Sequence, residues 1–303
     1  MNWTDLKQLD RLIRETEALG AEVEEIGVSG EGRSLYGVTI GDREANRTIA
    51  LVAGCHADEI ISPLTAISMV RRLVRQPLPG VKFSIVPVAD PDFLDRNARD
   101  LPKNATLRDL LGLNRSRDLE GNFTADIYPE CVAIRQWMQK LDRVDAYFSL
   151  HSAGCIAPGL FFYVGCGTNL HCVHRVYCGI RAVLPEDILL LSRDPTGLSQ
   201  HRLSPGFFEL ALPPFPASTS NHPGSSLTYV SHHFQPQFVG ASEMPLAVCP
   251  ALKEASLSEI EECNREFVRT GRIRYPFREI PLKTQVAILQ TAIESVARWI
   301  SQT

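Results

Sequence analysis

Thr48-Ile-Ala-Leu-Val-Ala53 runs straight into Gly54-Cys-His-Ala-Asp-Glu59 and, two residues on, Ser62-Pro63. An uninterrupted apolar run of this kind reads as a strand covered on both faces. Glycine closes it, and serine followed by proline predicts the start of a helix. Strand, turn and helix in that order form the repeating unit of a mostly parallel sheet. Polar groups directly off a buried strand need partners, because an unpartnered buried charge is costly. His56, Asp58 and Glu59 therefore either face solvent or surround something bound, with Asp58 the candidate to orient an imidazole.

Outward from this stretch the pattern repeats. Val23–Val28, Ser34–Ile40, Val81–Val88, Ala146–Leu150, Phe161–Val164, Ile188–Leu191 and Phe238–Ser242 read as further strands. Amphipathic spacing predicts helices over residues 5–19, over the stretch opened by Ser62-Pro63, over Pro129–Leu141 and over Pro281–Ile300. The expected fold is α/β, a mixed, mostly parallel central sheet with helices on both faces, built as one domain over residues 1–303. Asp90–Asp126 and Ser204–Gln237 read as irregular, apart from a helical turn at Leu107–Leu113. Long irregular stretches inside a compact domain are usually binding loops.

At 303 residues, 44% hydrophobic and 22% charged, the composition is that of an ordinary globular protein. A formal net charge of −4 gives no electrostatic case for nucleic acid. No apolar run reaches the roughly 20 residues needed to span a bilayer. The charged, amphipathic N-terminus lacks the form of a signal peptide, so the sequence points to the cytoplasm and to eight reduced cysteines. Cys166, Cys172 and Cys178, with His171 and His174, form the densest group. They lack zinc-finger spacing and read as helix packing positions rather than a metal site.

In α/β sheets, ligands bind beyond the carboxyl ends of strands. His56 follows Thr48–Ala53, His151 follows Ala146–Leu150 and Glu243 follows Phe238–Ser242, while Glu59 can turn back toward the same point. Two histidines and a carboxylate are the ligand set of a catalytic zinc with one position open. A further carboxylate is what such a site needs for proton transfer.

These residues carry a resemblance. Gly30-Glu-Gly-Arg-Ser-Leu35, Gly54-Cys-His-Ala-Asp-Glu59, Asp90-Pro-Asp92, Arg96-Asn-Ala-Arg99, Leu113-Asn-Arg115, Ser149-Leu-His-Ser152 and Ala241-Ser-Glu-Met-Pro245 resemble, in order, the zinc carboxypeptidases (peptidase family M14). The resemblance implies that His56, Glu59 and His151 bind Zn2+ and that Glu243 is the general base. It implies that Arg99 steadies the developing oxyanion and that Asn114 and Arg115 grip the free carboxylate of a peptide or peptide-like substrate. Tyr229 lies in the segment of the family's mobile, substrate-contacting tyrosine.

The chain also departs from the pattern. Asp90-Pro-Asp-Phe93 stands where the family has Asn-Pro-Asp-Gly, and Leu101–Leu111 is an insertion. A rival register overlays Asp118-Leu-Glu-Gly-Asn-Phe123 on the family's Asp-Leu-Asn-Arg-Asn-Phe. That register puts Glu120 and Gly121 at the clamp and Arg117 in the oxyanion role. The expected activity is zinc-dependent cleavage of an amide bond in a small peptide, of carboxypeptidase type. The alternatives are a deacylase of N-acyl amino acids, of the aspartoacylase and succinylglutamate desuccinylase kind, and an inactive binding protein.

Overall fold

A computed structural model describes residues 3–42, 44–113, 117–152, 155–199, 201–212 and 224–303. Its strands are β1 (Glu22–Val28), β2 (Ser34–Gly41), β3 (Thr48–Ala53), β4 (Lys82–Val86), β5 (Ala146–Leu150) and β6 (Ile156–Ala157). They continue as β7 (Phe161–Gly165), β8 (His201–Ser204), β9 (Phe207–Leu210), β10 (Phe238–Glu243), β11 (Ala247–Val248) and β12 (Arg278–Glu279). The helices are α1 (Leu9–Glu17), α2 (Ile61–Arg75), α3 (Pro91–Asp100), α4 (Leu107–Leu111) and α5 (Pro129–Met138). After them come α6 (Leu170–Val183), α7 (Ser226–Phe234), α8 (Leu257–Thr270) and α9 (Leu282–Ile300).

Nine strands form one sheet in the order β1-β2-β4-β3-β5-β10-β7-β9-β8. The β4, β3, β5 and β10 neighbours are parallel, whereas β1, β2 and the β10–β7 pair run antiparallel. The fold is mixed α/β, as expected. Every residue of β3 and β5 is buried, which explains why both read as unbroken apolar runs. Alternate residues face opposite layers. Ile49, Leu51, Ala146 and Phe148 pack with α1, α2, α6 and α9, while Ala50, Val52 and Tyr147 pack with α5 and α7. Truncating Leu51 to alanine would cost about 2–5 kcal/mol, because its fully buried site has no slack.

Several expectations are corrected. Helix α2 begins at Ile61, and Ser62 donates its hydroxyl to the Glu59 carbonyl at 2.6 Å instead of capping the helix. The stretch Ile188–Leu191 forms only an isolated bridge between Leu190 and Leu160. Helix α3 occupies the start of the expected irregular segment, capped by the Asp90 side chain accepting from the Phe93 amide. Strand β9, the edge strand β8 and helix α7 fall in or beside the second one.

Candidate metal centre

Gly54 ends β3 with a φ of +73°, a conformation glycine adopts without strain, and turns the chain off the sheet. The next residues fold tightly, with the Glu59 amide donating to the His56 carbonyl at 3.1 Å. That turn sends both side chains toward the carboxyl end of the neighbouring β5. There His151 leaves the strand, its backbone fixed by Ser242 of β10, which accepts from its amide and donates to its carbonyl. The parallel register pairs Ala241 with Ser149, so two residues further on Glu243 emerges beside His151.

The Glu59 carboxylate bridges the two imidazoles. Its Oε1 lies 2.8 Å from His56 Nδ1 and its Oε2 lies 2.8 Å from His151 Nδ1. Oε2 also accepts from the Ser152 amide at 3.1 Å. One ligand atom from each of these three residues lies within 4.8 Å of the others, the only such trio among the described residues. Each imidazole uses its far nitrogen on a second partner. His56 Nε2 meets Asp118 Oδ1 at 2.8 Å, and His151 Nε2 meets Ser149 Oγ at 2.8 Å with Glu120 Oε2 at 3.5 Å. Glu120 is itself held by the amide and hydroxyl of Ser226, at the start of α7.

Three carboxylates thus face two imidazoles, and the site favours positive charge. Burial opposes charge on His56, but Glu59 and Asp118 outweigh it and push its pKa up to about 9. For His151 burial is likewise overcome, by Glu59 and Glu120, and the pKa rises well above its ordinary value. Burial alone would raise the Glu59 carboxyl, yet His151 and His56 hold it well below the usual carboxylate range. Two Nδ1 atoms converging on one carboxylate, each with a hydrogen-bonded Nε2 behind it, are the donor set of a borderline cation such as Zn2+. The residues fit the metal.

Glu243, His56 and Glu59 line one cavity of about 470 Å3. Its walls are largely apolar, with Phe161, Leu198, Leu257 and Ile260 among them. Asp194 braces one wall, accepting from the Tyr163 hydroxyl at 2.9 Å and from the amides of Thr196 and Ser199. Such a space can hold a small organic group next to the Glu243 carboxylate.

Other sequence candidates lie elsewhere. Arg99 has its side chain 64% exposed on α3, paired with Asp95 of the same helix, and it does not line the cavity. An arginine on a charged helix face is drawn to its i−4 carboxylate and to water. Tyr229 also does not line the cavity. It is 2% exposed, packed on Phe123 and His233, with its hydroxyl donating to the Arg135 carbonyl at 3.4 Å. Asn114 and Arg115 fall outside the described residues.

The Asp118–Phe123 segment, in contrast, reaches the site, where Asp118 and Glu120 back the two imidazoles. Asp118, and not Asp58, supplies the carboxylate on His56 Nε2. Their sequence signal was the overlay of Asp118-Leu-Glu-Gly-Asn-Phe123 on the family motif. Arg117 takes no part in the cavity. It forks onto both oxygens of Asp90 at 2.7 and 2.9 Å and donates to Glu130 at 2.6 Å. Gly121 donates its amide to Asp118 at 2.8 Å, and a Cβ there would collide with that carboxylate.

Comparison with known proteins agrees with the resemblance. Residues 9–126 match the sequence model of the family described as zinc carboxypeptidase, Peptidase_M14. Among solved structures, a metallo-carboxypeptidase from Burkholderia cenocepacia superposes with a TM-score of 0.59 at 17% identity, covering 96% of this chain and 68% of that one. A metallo-carboxypeptidase from Pseudomonas aeruginosa, in complex with (2-guanidinoethylmercapto)succinic acid, gives 0.56 at 16% identity over 96% and 68% of the two chains. Carboxypeptidase A from Helicoverpa armigera gives 0.56 at 16% identity over 97% and 72%. The chain has the carboxypeptidase fold. No helix among the described residues is long and apolar enough to cross a membrane.

Proposed function

We propose that the protein is a zinc-dependent hydrolase that cleaves an amide bond of a small peptide, in the manner of a carboxypeptidase. The observation that carries this reading is the Glu59 carboxylate bridging the Nδ1 atoms of His56 and His151, with Glu243 on the wall of the same cavity. His56, Glu59 and His151 hold the zinc. Bound there, zinc supplies a Lewis acid that polarises the scissile carbonyl and makes water acidic enough to attack at neutral pH.

Glu243 takes the proton from the attacking water and returns it to the departing nitrogen, the usual part of a carboxylate beside such a centre. Asp118 and Glu120 keep the two imidazoles turned with Nδ1 toward the metal. The apolar walls receive the part of the substrate next to the scissile bond and exclude bulk water from it. Neither Arg99 nor Tyr229 is assigned a part.

The test is a metal-loaded protein assayed on short peptides and on N-acyl amino acids. Peptide hydrolysis is expected, with about one zinc per chain. Glu243→Gln should lower turnover by about 10²–10⁴-fold and keep the zinc. Hydrolysis of N-acyl amino acids alone would replace the peptidase by a deacylase. No turnover on either panel by the zinc-loaded protein would overturn the reading.

A further inference from the structure

We propose that the cavity beside the metal centre selects the substrate. It takes a bulky apolar side chain, aromatic or branched, of a residue flanking the scissile bond, with Leu198, Leu257 and Ile260 as specificity-determining residues. The proposal rests on the hydrolase reading above and deepens it. One space of about 470 Å3 is lined by these three residues and also by His56, Glu59 and Glu243. Its occupant therefore lies next to the carboxylate that moves the proton. Pockets that enclose small ligands have volumes of about 300–1,000 Å3, and this one falls among them.

The exposure of two leucines is the decisive observation. Leu198 is 65% exposed and Leu257 39%, yet both belong to the wall of this cavity. Ile260, one turn after Leu257 on α8, is buried behind them. A leucine left in water gains no transfer free energy from folding, and an apolar ligand that covers it recovers that gain. Leu198 is also held in place. It follows Asp194-Pro195-Thr196-Gly197, where proline fixes one φ and Gly197 turns at a φ of +72°. The buried Asp194 carboxylate ties this turn down. It accepts from the Tyr163 hydroxyl at 2.9 Å, from the Thr196 amide and hydroxyl at 2.9 and 2.8 Å, and from the Ser199 amide at 2.7 Å. Thr196 and Ser199 flank Leu198, so the leucine is presented without the ordering cost of a mobile loop. Asp194 is thus a positioning residue.

The polar residues on the α8 side point the same way. Arg265 already pairs with Glu261 at 3.6 Å and with Glu262 at 2.8 Å. Asn264 engages its amide with the backbone, donating to the carbonyls of Ile156 and Ile260 and accepting from the Ile156 amide. A charged side chain entering the cavity would have to break the arginine's pairing or carry its own charge into an apolar space, which is costly. An apolar side chain gives up only water.

Two peptide series, Xaa-Ala and Ala-Xaa, with glycine, leucine, phenylalanine, lysine or aspartate at Xaa, test the proposal on the zinc-loaded protein. In one series phenylalanine and leucine should exceed glycine in kcat/KM by about 10²-fold, with lysine and aspartate no better than glycine. Leu198→Asp, a change at an exposed position, should lower kcat/KM about tenfold on the phenylalanine peptide and leave the glycine peptide unaffected. Asp194→Asn should raise KM for the phenylalanine peptide with kcat unchanged, whereas general damage to the fold would lower kcat on every peptide. Calorimetry gives a readout that needs no turnover. N-acetylphenylalaninamide should bind at least about tenfold tighter than N-acetylglycinamide, and lose that margin in Leu198→Asp. Absence of hydrolysis on every peptide would remove the hydrolase reading and leave calorimetry to decide on the cavity. A flat profile in both series of an active enzyme, a preference for lysine or aspartate, or equal binding of the two amides would overturn the proposal.

Discussion

Two clusters of charge meet at consecutive residues: Arg117 belongs to one and Asp118 to the other. Around Arg117 gather Asp90, Asp92 and Glu130, and around His56 and His151 gather Glu59, Asp118 and Glu120. Both hold three carboxylates. The first meets a guanidinium that is always charged and pairs bidentately, so its cation is part of the chain. The second meets imidazoles, whose charge is conditional and whose Nδ1 atoms are metal donors. The first cluster is thus a closed structural joint. It ties the Ser29–Arg33 turn, through Ser29 and Gly30, to the starts of α3 and α5. The second opens on a cavity and, in the function proposed above, takes its cation from outside.

That contrast is exposed to experiment. The largest effect should come from Arg117→Ala, which strands buried carboxylates and should cost about 3–5 kcal/mol in denaturant unfolding. A loss below about 1 kcal/mol would end the idea of a structural joint. Next, zinc at a hundredfold excess over its dissociation constant should stabilise the protein by about 2.7 kcal/mol, seen as a rise in Tm reversed by a chelator. Arg117→Ala should leave that increment intact if the two clusters are separate in function. Asp118→Asn should weaken zinc binding by about tenfold, the low end for a residue behind a ligand, because the Asp118 side chain is half exposed. Zinc calorimetry showing no change would remove Asp118 from the site. The smallest effect is expected from Glu120→Gln. It keeps an oxygen for Ser226 and sits 3.5 Å from His151 Nε2, so zinc affinity should fall only a few-fold.

The same contrast explains what the sequence could reveal. Strands β3 and β5 were legible to the residue, since continuous burial leaves a continuous apolar run. His56, His151 and Glu243 stood out because each follows a strand, with Glu59 three residues beyond His56, and the structure brings them to one rim. Helix α3 was hidden because it buries Asp92 and Asn97 along with Leu94 and Ala98, so its inner face is not apolar. Helix α8 buries only Ile260 and Phe267 and leaves too thin a stripe to detect. Strands β8 and β9 alternate too weakly at the sheet edge. Asp118 and Glu120 were legible only through the overlay on the family motif, which put Glu120 at a substrate clamp and gave Asp118 no role. Only the folded chain puts them behind the imidazoles, while the same kind of charged stretch leaves Arg99 in solvent.

Glu59 and His151 are 92 positions apart in sequence, yet they touch across adjoining strands. Contacts of such high contact order close late in folding, after the intervening chain has been gathered. A zinc-sensitive dye added during refolding would therefore clock the zipping of β3 onto β5, and truncated chains stalled before residue 151 would leave the ion in bulk solvent.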